Sequence, residues 1–146
     1  MTETKVSADL GEIGAAGEIS ADVRAWRELL ARHADLSCAL DRELQQHGLG
    51  MSEYEVLERL AELPEQSAKV QTIAKSVHLS QSALSRVIGR LETAGLVERH
   101  MCTEDRRAIN VRLTDEGLSK QTEAAPTQRR VLAERLHAPL LKTCEP

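Results

Sequence analysis

Apolar residues recur every three or four positions through much of the chain, a spacing that places them on one face of an α-helix. The first such run begins after Ser20, a residue type that commonly caps helices, and reaches Gly48. A second run begins after Ser52, another predicted cap, and stops before Pro64. The pattern therefore predicts a long amphipathic helix followed by a shorter one.

Two short helices are predicted next, over Val70–Val77 and Gln81–Ala94, with His78, Leu79 and Ser80 between them. The second helix has apolar residues on one side and small polar or basic residues on the other. Two short helices joined by a tight turn form a helix-turn-helix. The same pattern also fits two ordinary packed helices, so it does not identify a DNA-binding motif by itself.

The apolar spacing then changes to every second residue, over Val97–Met101 and again over Ile109–Leu113, which predicts a two-stranded hairpin. The turn between these strands contains two adjacent arginines, Arg106 and Arg107. A solvated charged loop is one interpretation of this turn. However, a hairpin that closely follows a possible recognition helix is the layout of a winged helix, whose wing arginine can enter the minor groove.

Composition limits the class of protein. The chain has 146 residues, 41% of them hydrophobic and 29% charged, which suits one small domain with helical arms. Because Trp26 and Tyr54 are the only aromatic residues, the core must be aliphatic and stacking on nucleotide bases is not expected. No apolar run suits a membrane span, and three dispersed cysteines without a secretory signal indicate a reducing cytoplasm.

The distribution of charge is more informative than its sum of −4. Residues 69–113 contain eight Lys and Arg side chains against four Asp and Glu side chains, a local net charge of +4. The rest of the chain then carries −8. A basic module within an acidic frame is typical of a DNA reader with separate structural arms.

The polar face of the second short helix supplies the candidate DNA contacts. Its small serines, Ser82 and Ser85, would let the helix enter a major groove about 12 Å wide. We expect Gln81 and Arg86 to read base edges, and Ser82, Ser85 and Arg90 to contact phosphates. Which base each side chain reads does not follow from the sequence.

Four segments resemble the MarR family of transcriptional regulators. They are Gln81-Ser82-Ala83-Leu84-Ser85-Arg86, Leu91-Glu92-Thr93-Ala94-Gly95-Leu96-Val97, Asp105-Arg106-Arg107 and Leu113-Thr114-Asp115-Glu116-Gly117. The resemblance covers roughly residues 22–125. It implies a winged-helix homodimer that binds a pseudo-palindromic operator, usually as a repressor, and is released by a small ligand or an oxidant.

The wing motif of that family, D-x-R, corresponds to Asp105 and Arg107. By resemblance, the carboxylate braces the arginine as it enters the minor groove, and Arg106 lies beside it on the same turn. Bracing also makes physical sense, because it reduces the entropy that the guanidinium loses on binding DNA.

The domain organisation follows from these elements and from the resemblance. We expect a mainly α fold with a small β-hairpin wing. Thr114 is the predicted cap of the last helix, and Pro126 is expected to interrupt that helix. A break there would leave a smaller dimer interface than the family has, and a kinked helix is the milder alternative. The expected segments are a flexible tail over 1–19, a dimerisation helix over 20–48, a winged helix-turn-helix over 52–113 and C-terminal dimerisation helices over 114–146.

Effector binding is a further implication of the resemblance. Ligand-responsive members bind small molecules between the DNA-binding lobe and the dimer helices, a position that would place Trp26, Leu30, His33 and Tyr54 around the ligand. Ordinary core packing of these side chains is the simpler alternative.

Cys102 is a candidate redox sensor, because His100 and the neighbouring arginines would lower its thiol pKa. An unreactive cysteine at a strand end is the alternative. The five histidines are dispersed, so neither a metal site nor a cofactor is predicted. Two other functions are possible alternatives. An enzyme with Cys102 or Cys38 as nucleophile has little support, because the sequence contains no phosphate-binding loop and no paired carboxylate motif. A winged helix that binds another protein is the second alternative, and it would differ from a DNA-binding protein by showing no salt-sensitive binding to duplex DNA.

Overall fold

The computed structural model describes Gly17, residues 19–101 and residues 108–140. Within these residues the chain forms five α-helices and one small antiparallel sheet, which confirms a mainly α fold with a wing. In chain order the elements are α1 (Ala21–Leu44), α2 (Met51–Glu62), β1 (Ser67–Lys69), α3 (Val70–Val77), α4 (Gln81–Thr93), β2 (Val97–Met101), β3 (Ile109–Leu113) and α5 (Asp115–Arg135).

Helix α1 begins where the sequence predicts. The Ser20 hydroxyl oxygen accepts a hydrogen bond from the Val23 amide at 3.3 Å, which satisfies one of the donors that a helix N-terminus leaves open. The helix ends at Leu44, and a short 3-10 turn leads to Gly48 at φ 71°. Glycine suits this left-handed backbone because it has no β-carbon to strain.

The predicted cap of α2 is wrong. Gly50, not Ser52, occupies the N-cap position, and its amide donates to the Glu53 carboxylate at 2.6 Å. The Met51 amide donates to Asp41 of α1 at 2.7 Å. The amides at the start of α2 are therefore bonded by carboxylates from α2 itself and from α1, and not by a serine hydroxyl. The contact with α1 forms only because the two helices are close in the folded protein, which the sequence does not show.

The two predicted strands of the wing, Val97–Met101 and Ile109–Leu113, pair as predicted, and a third strand joins them to form a three-stranded sheet. Strand β1 pairs with β3 and gives the order β1-β3-β2, with Ser67 opposite Arg112 and Val97 opposite Leu113. A strand of three residues is too short to show a two-residue period, so it could not be predicted from spacing. Its position fixes Lys69 beside the wing.

Helices α3 and α4 form the predicted helix-turn-helix. His78 turns the chain with a left-handed φ of 56°, and the Ser80 hydroxyl caps α4 by accepting from the Ala83 amide at 3.2 Å. The inward face of α4 is buried in the core and consists of Leu84, Val87, Ile88 and Leu91. Because this face is held by the core, the opposite face has a fixed orientation on the surface.

Helix α5 runs without interruption through Pro126, so the prediction of a broken helix is wrong. Proline removes one backbone hydrogen bond, a local cost. Ala124 and Val131 on either side of it are buried in the core, and this tertiary packing holds the helix together. As predicted, Thr114 caps the helix, since its hydroxyl accepts from the Gly117 amide at 3.0 Å.

Helices α1 and α5 lie side by side, joined by polar contacts along their length. Arg130 pairs with Glu43 at 2.9 Å, and Arg135 pairs with Asp35 at 3.0 Å. The residue numbers run in opposite directions along the two helices, so they are antiparallel. Together they form an arm that is separate from the helix-turn-helix.

Gly117 is expected to be the least replaceable glycine among those described. A β-carbon there would collide with the Leu96 carbonyl oxygen, which is backbone and cannot swing away. We expect Gly117→Ala to lower the free energy of unfolding by about 1–3 kcal/mol, as overpacking does. Urea denaturation followed by circular dichroism measures the change.

Gly89→Ala is the matched control, because nothing lies within 4 Å of a β-carbon at that helical position. It should leave stability unchanged or raise it by about 0.5–1 kcal/mol. Equal stability of the two variants would contradict the close packing of α5 against Leu96.

Candidate nucleic-acid interface

The outward face of α4 presents a continuous polar surface. The sequence-predicted contacts that it exposes are Gln81, Ser82, Ser85, Arg86 and Arg90. Within the described residues, Arg86 forms no ion pair and no hydrogen bond, so its guanidinium is available to an external partner. Gly89 leaves an open gap on the same side of the helix.

The N-terminus of α4 is organised by two serine hydroxyls. Ser80 caps the helix, and its oxygen lies 3.3 Å from the Ser82 oxygen. The helix dipole makes this end partly positive, which favours an anion such as phosphate. Ser82 therefore lies at an end of the helix whose partial positive charge favours contact with a phosphate.

A groove of about 420 Å³ separates α4 from the sheet. Its polar lining comes from Lys69, Gln71, Gln81, Ser85 and Arg99. Two cations therefore face the predicted recognition helix across an open channel, an arrangement that suits a phosphate backbone.

Sequence reasoning missed Lys69, Gln71 and Arg99 as site residues. Lys69 and Arg99 belong to the basic segment, and that was the available signal. Their convergence depends on β1, which places Lys69 beside the groove, and on β2, which carries Arg99. Arg99 also lies 3.8 Å from Glu92 of α4, so α4 and β2 are linked by an ion pair.

Arg90 has an internal partner that the sequence did not reveal. Its Nε lies 2.9 Å from the Glu53 carboxylate, whose other oxygen accepts from the Gly50 amide. Glu53 is mostly shielded from solvent while Arg90 is largely exposed. This contact ties α4 to the start of α2 and leaves only the outer part of the Arg90 guanidinium for a phosphate.

The predicted wing contacts Asp105, Arg106 and Arg107, and the candidate redox residue Cys102, lie outside the described residues. The strands that lead to this turn are described, and Met101 pairs with Ile109 as the last rung. Both side chains of that rung are exposed, with 63% of the Met101 surface open to solvent.

The four candidate effector contacts fall into two environments. Trp26 is 57% exposed, and Leu30 and His33 are also exposed on α1, whereas Tyr54 is 1% exposed inside the core. Within one chain they do not line a common closed cavity. Within one chain, Tyr54 therefore packs in the core, whereas Trp26, Leu30 and His33 do not, and the effector role of all four residues stays a prediction.

Tyr54 has a specific polar setting. Burial raises the pKa of its phenol, and the nearby negative charge of Glu58 raises that pKa further. The phenol is therefore protonated at neutral pH and donates to Glu58 at 3.1 Å, while it accepts from Arg129 at 2.8 Å.

Other kinds of chemistry find little support in the described part of the chain. No three His, Cys, Asp or Glu side chains there come together as a metal site, and none of its helices has the length and apolar character for crossing a bilayer. Cys38 is disulfide-bonded, a bond that the dispersed cysteines of the sequence did not suggest. Spacing along the sequence does not show which residues approach in space.

Comparison with known proteins identifies the family. The MarR family profile matches residues 49–109. AbsC, a MarR family transcriptional regulator from Streptomyces coelicolor, is 32% identical over 84% of this chain and 86% of its own, with a TM-score of 0.74.

Two further solved structures are similar. Sco3205, a MarR family transcriptional regulator from the same organism solved in complex with DNA, is 30% identical over 82% of this chain and 77% of its own, with a TM-score of 0.75. BpsR from Bordetella bronchiseptica, whose DNA binding is regulated by 6-hydroxynicotinic acid, covers 80% of this chain and 86% of its own at a TM-score of 0.72, but its 18% identity supports the fold alone. This chain belongs to the MarR family of transcriptional regulators.

Proposed function

We propose that this protein is a sequence-specific DNA-binding transcriptional regulator that reads the major groove with α4. The observation that carries the proposal is the outward face of α4, which is polar and basic. Arg86 on this face has no ion pair or hydrogen bond with any of the described residues, and a groove with two cations lies beside the helix. Similarity to Sco3205, whose structure contains DNA, supports the same function.

Each residue receives a role from its position. Gln81 and Arg86 read base edges, because they project from the first half of the helix that would enter the groove. Ser82 and Ser85 contact phosphates at the helix N-terminus, and Arg90 reaches phosphate only with the part of its guanidinium that Glu53 leaves free.

The sheet would contact the DNA backbone on either side of the bases that α4 reads. Lys69 and Arg99 neutralise phosphates along the groove beside α4. We propose that Arg107, braced by Asp105, enters the minor groove from the wing, with Arg106 beside it, as the MarR resemblance implies.

The active species is a homodimer in this proposal. The N-terminal half of α1 and the residue Ile19 just before it expose an apolar face to solvent. This face is formed by Ile19, Val23, Trp26, Leu29 and Leu30, each of which is 39% to 61% exposed. Two such faces would bury each other, and two recognition helices would read the half-sites of a pseudo-palindromic operator. An uninterrupted α5 lengthens the arm that supports this contact.

Regulation is the finer part of the proposal. By analogy with the family, the protein acts as a repressor in the cytoplasm and is released by a small ligand or an oxidant. Because Trp26, Leu30 and His33 are open to solvent in one chain, an effector pocket that uses them requires the partner's helices to close it. Cys102, the residue that follows β2 in the sequence, is the candidate site of reaction with an oxidant.

Salt-dependent binding tests the function. Fluorescence anisotropy with a labelled random-sequence duplex should show binding at low salt that weakens by about 10³–10⁵ between 50 mM and 200 mM salt, as expected for roughly six to ten phosphate contacts. Absence of binding in dilute buffer, or binding that ignores salt, would favour a protein-interaction module instead.

A further inference from the structure

A closed polar cluster joins α2 to α5. It consists of Tyr54 and Glu58 on α2 with Gln128 and Arg129 on α5, and we call it the Glu58 cluster. The Arg129 guanidinium lies 2.6 Å from Glu58 Oε1 and donates to the Tyr54 hydroxyl at 2.8 Å. Gln128 donates to Glu58 Oε2 at 3.1 Å and accepts from Arg129 at 2.6 Å. Both oxygens of the carboxylate are therefore held by α5.

Burial makes the geometry of this cluster demanding. Only 12% of the Glu58 side chain and 1% of Tyr54 are exposed, whereas 58% of the Arg129 side chain is open to solvent. A shielded carboxylate that loses its donors suffers a desolvation penalty that water only partly relieves. Any sliding or rotation of α5 against α2 would break several directional contacts at once.

Apolar packing supplies one part of the contact between α5 and the rest of the protein. The residues that α5 buries fully are Gly117, Ala124 and Val131, and the partly buried Leu118, Ala125 and Leu132 also pack against the core. The Glu58 cluster adds to this packing a set of directional polar contacts between α2 and α5.

The position of the joint gives it a function. Helix α2 packs against α3 and α4, and the outward face of α4, which we call the reading surface, is the proposed DNA contact. Helix α5 instead packs along α1, which carries the exposed apolar face. Contacts of α1 with α2 and of α5 with β3 also join these parts of the fold. In the proposed dimer, the angle between α2 and α5 would contribute to the distance between the outward face of α4 and the dimer axis.

We infer that the Glu58 cluster determines the half-site spacing that the dimer accepts on DNA. This inference rests on the proposed function, since it requires a dimer that reads two half-sites. Tyr54, Glu58, Gln128 and Arg129 act here as positioning residues that do not touch DNA. Loosening the cluster would allow the two recognition helices to fit several spacings instead of one.

The chain offers a closely matched control. Arg130, the next residue on α5, pairs with Glu43 of α1 at 2.9 Å and takes no part in the Glu58 cluster. Arg130→Ala removes the same charge and side chain from the same helix turn, but it leaves the joint between α2 and α5 intact.

The test measures affinity for a series of duplexes with identical half-sites whose central spacer is lengthened or shortened by one or two base pairs. Wild type and Arg130→Ala should prefer one spacing. For Arg129→Ala, the ratio of affinities between the best spacing and its neighbours should fall by about 3- to 30-fold, the range typical of coupling carried through a network. Preference for the half-site sequence should stay the same, a pattern that simple loss of stability would not produce.

Tyr54→Phe provides a second variant, because it removes one hydroxyl and keeps the ring that fills the core. Circular dichroism reports folding for all variants, and if Arg129→Ala unfolds, Tyr54→Phe decides. An unchanged spacing ratio in the folded variants would overturn the inference, as would a wild type that binds DNA without any spacing preference. A wild type that binds no duplex would instead overturn the proposed function.

Discussion

Trp26→Glu should convert the dimer to a monomer and lower affinity for a paired-half-site duplex by about 10²–10⁴, because the two readers would no longer be linked. Trp26 is 57% exposed in one chain and lies in an apolar face that two copies would bury against each other. An unpaired carboxylate in such an interface is costly to desolvate. Light scattering after size exclusion gives the oligomeric state, and anisotropy gives the affinity.

Ala31→Glu is the control for this substitution. Ala31 is also exposed on α1, but it lies five positions after Trp26, which turns it about 140° around the helix axis and toward another side. It adds the same charge without entering the apolar face and should leave the dimer intact. A Trp26→Glu variant that stays dimeric with wild-type affinity would show that the dimer uses another surface.

Arg86→Ala should give the second large effect, a loss of about 1–3 kcal/mol at each half-site, and relaxed specificity at the base that Arg86 reads. A dimer that uses two copies would lose about 2–6 kcal/mol. The reason is geometric, since Arg86 projects from the first half of α4 and has no ion pair in the described structure.

Arg42→Ala is the control for Arg86→Ala, because it also removes one positive charge but at a site outside the proposed DNA interface. Arg42 lies on α1, is 59% exposed and contacts Glu43 at 3.7 Å, away from the reading surface. Titrations of both variants on the same duplex at several salt concentrations should show a large loss only for Arg86→Ala. Equal affinities for the two variants would remove Arg86 from the interface.

The sequence predicted well which face of α4 is exposed, because that exposure depends on local rules. Capping by Ser80 and the three- and four-residue apolar spacing of α4 fix which residues face the core. Once Leu84 and Ile88 are buried, the opposite face, with Arg86, must be exposed. Nothing from distant parts of the chain is needed for that result.

Features that depend on distant contacts escaped prediction. Strand β1 forms only because β3 lies beside it, and the groove at Lys69 follows from that pairing. Gly50 begins α2 because Asp41 and Glu53 are close by. The spacing of residues along the sequence does not show which distant segments come into contact in the folded protein.

Two further errors have the same origin. Helix α5 continues through Pro126 because its neighbours are packed into the core, whereas sequence rules count only the lost hydrogen bond. Trp26 has the spacing of a core residue but is exposed in one chain. An apolar stripe predicts burial without saying whether the cover comes from the same chain or from a second copy.

Selection of bound sequences from a random duplex pool tests most directly whether α4 reads DNA as part of a dimer. We expect wild type to enrich an inverted repeat whose half-site centres lie about one helical turn apart, roughly 10 base pairs. No enrichment, or enrichment of a single unpaired site by the wild-type protein, would contradict this mode of recognition.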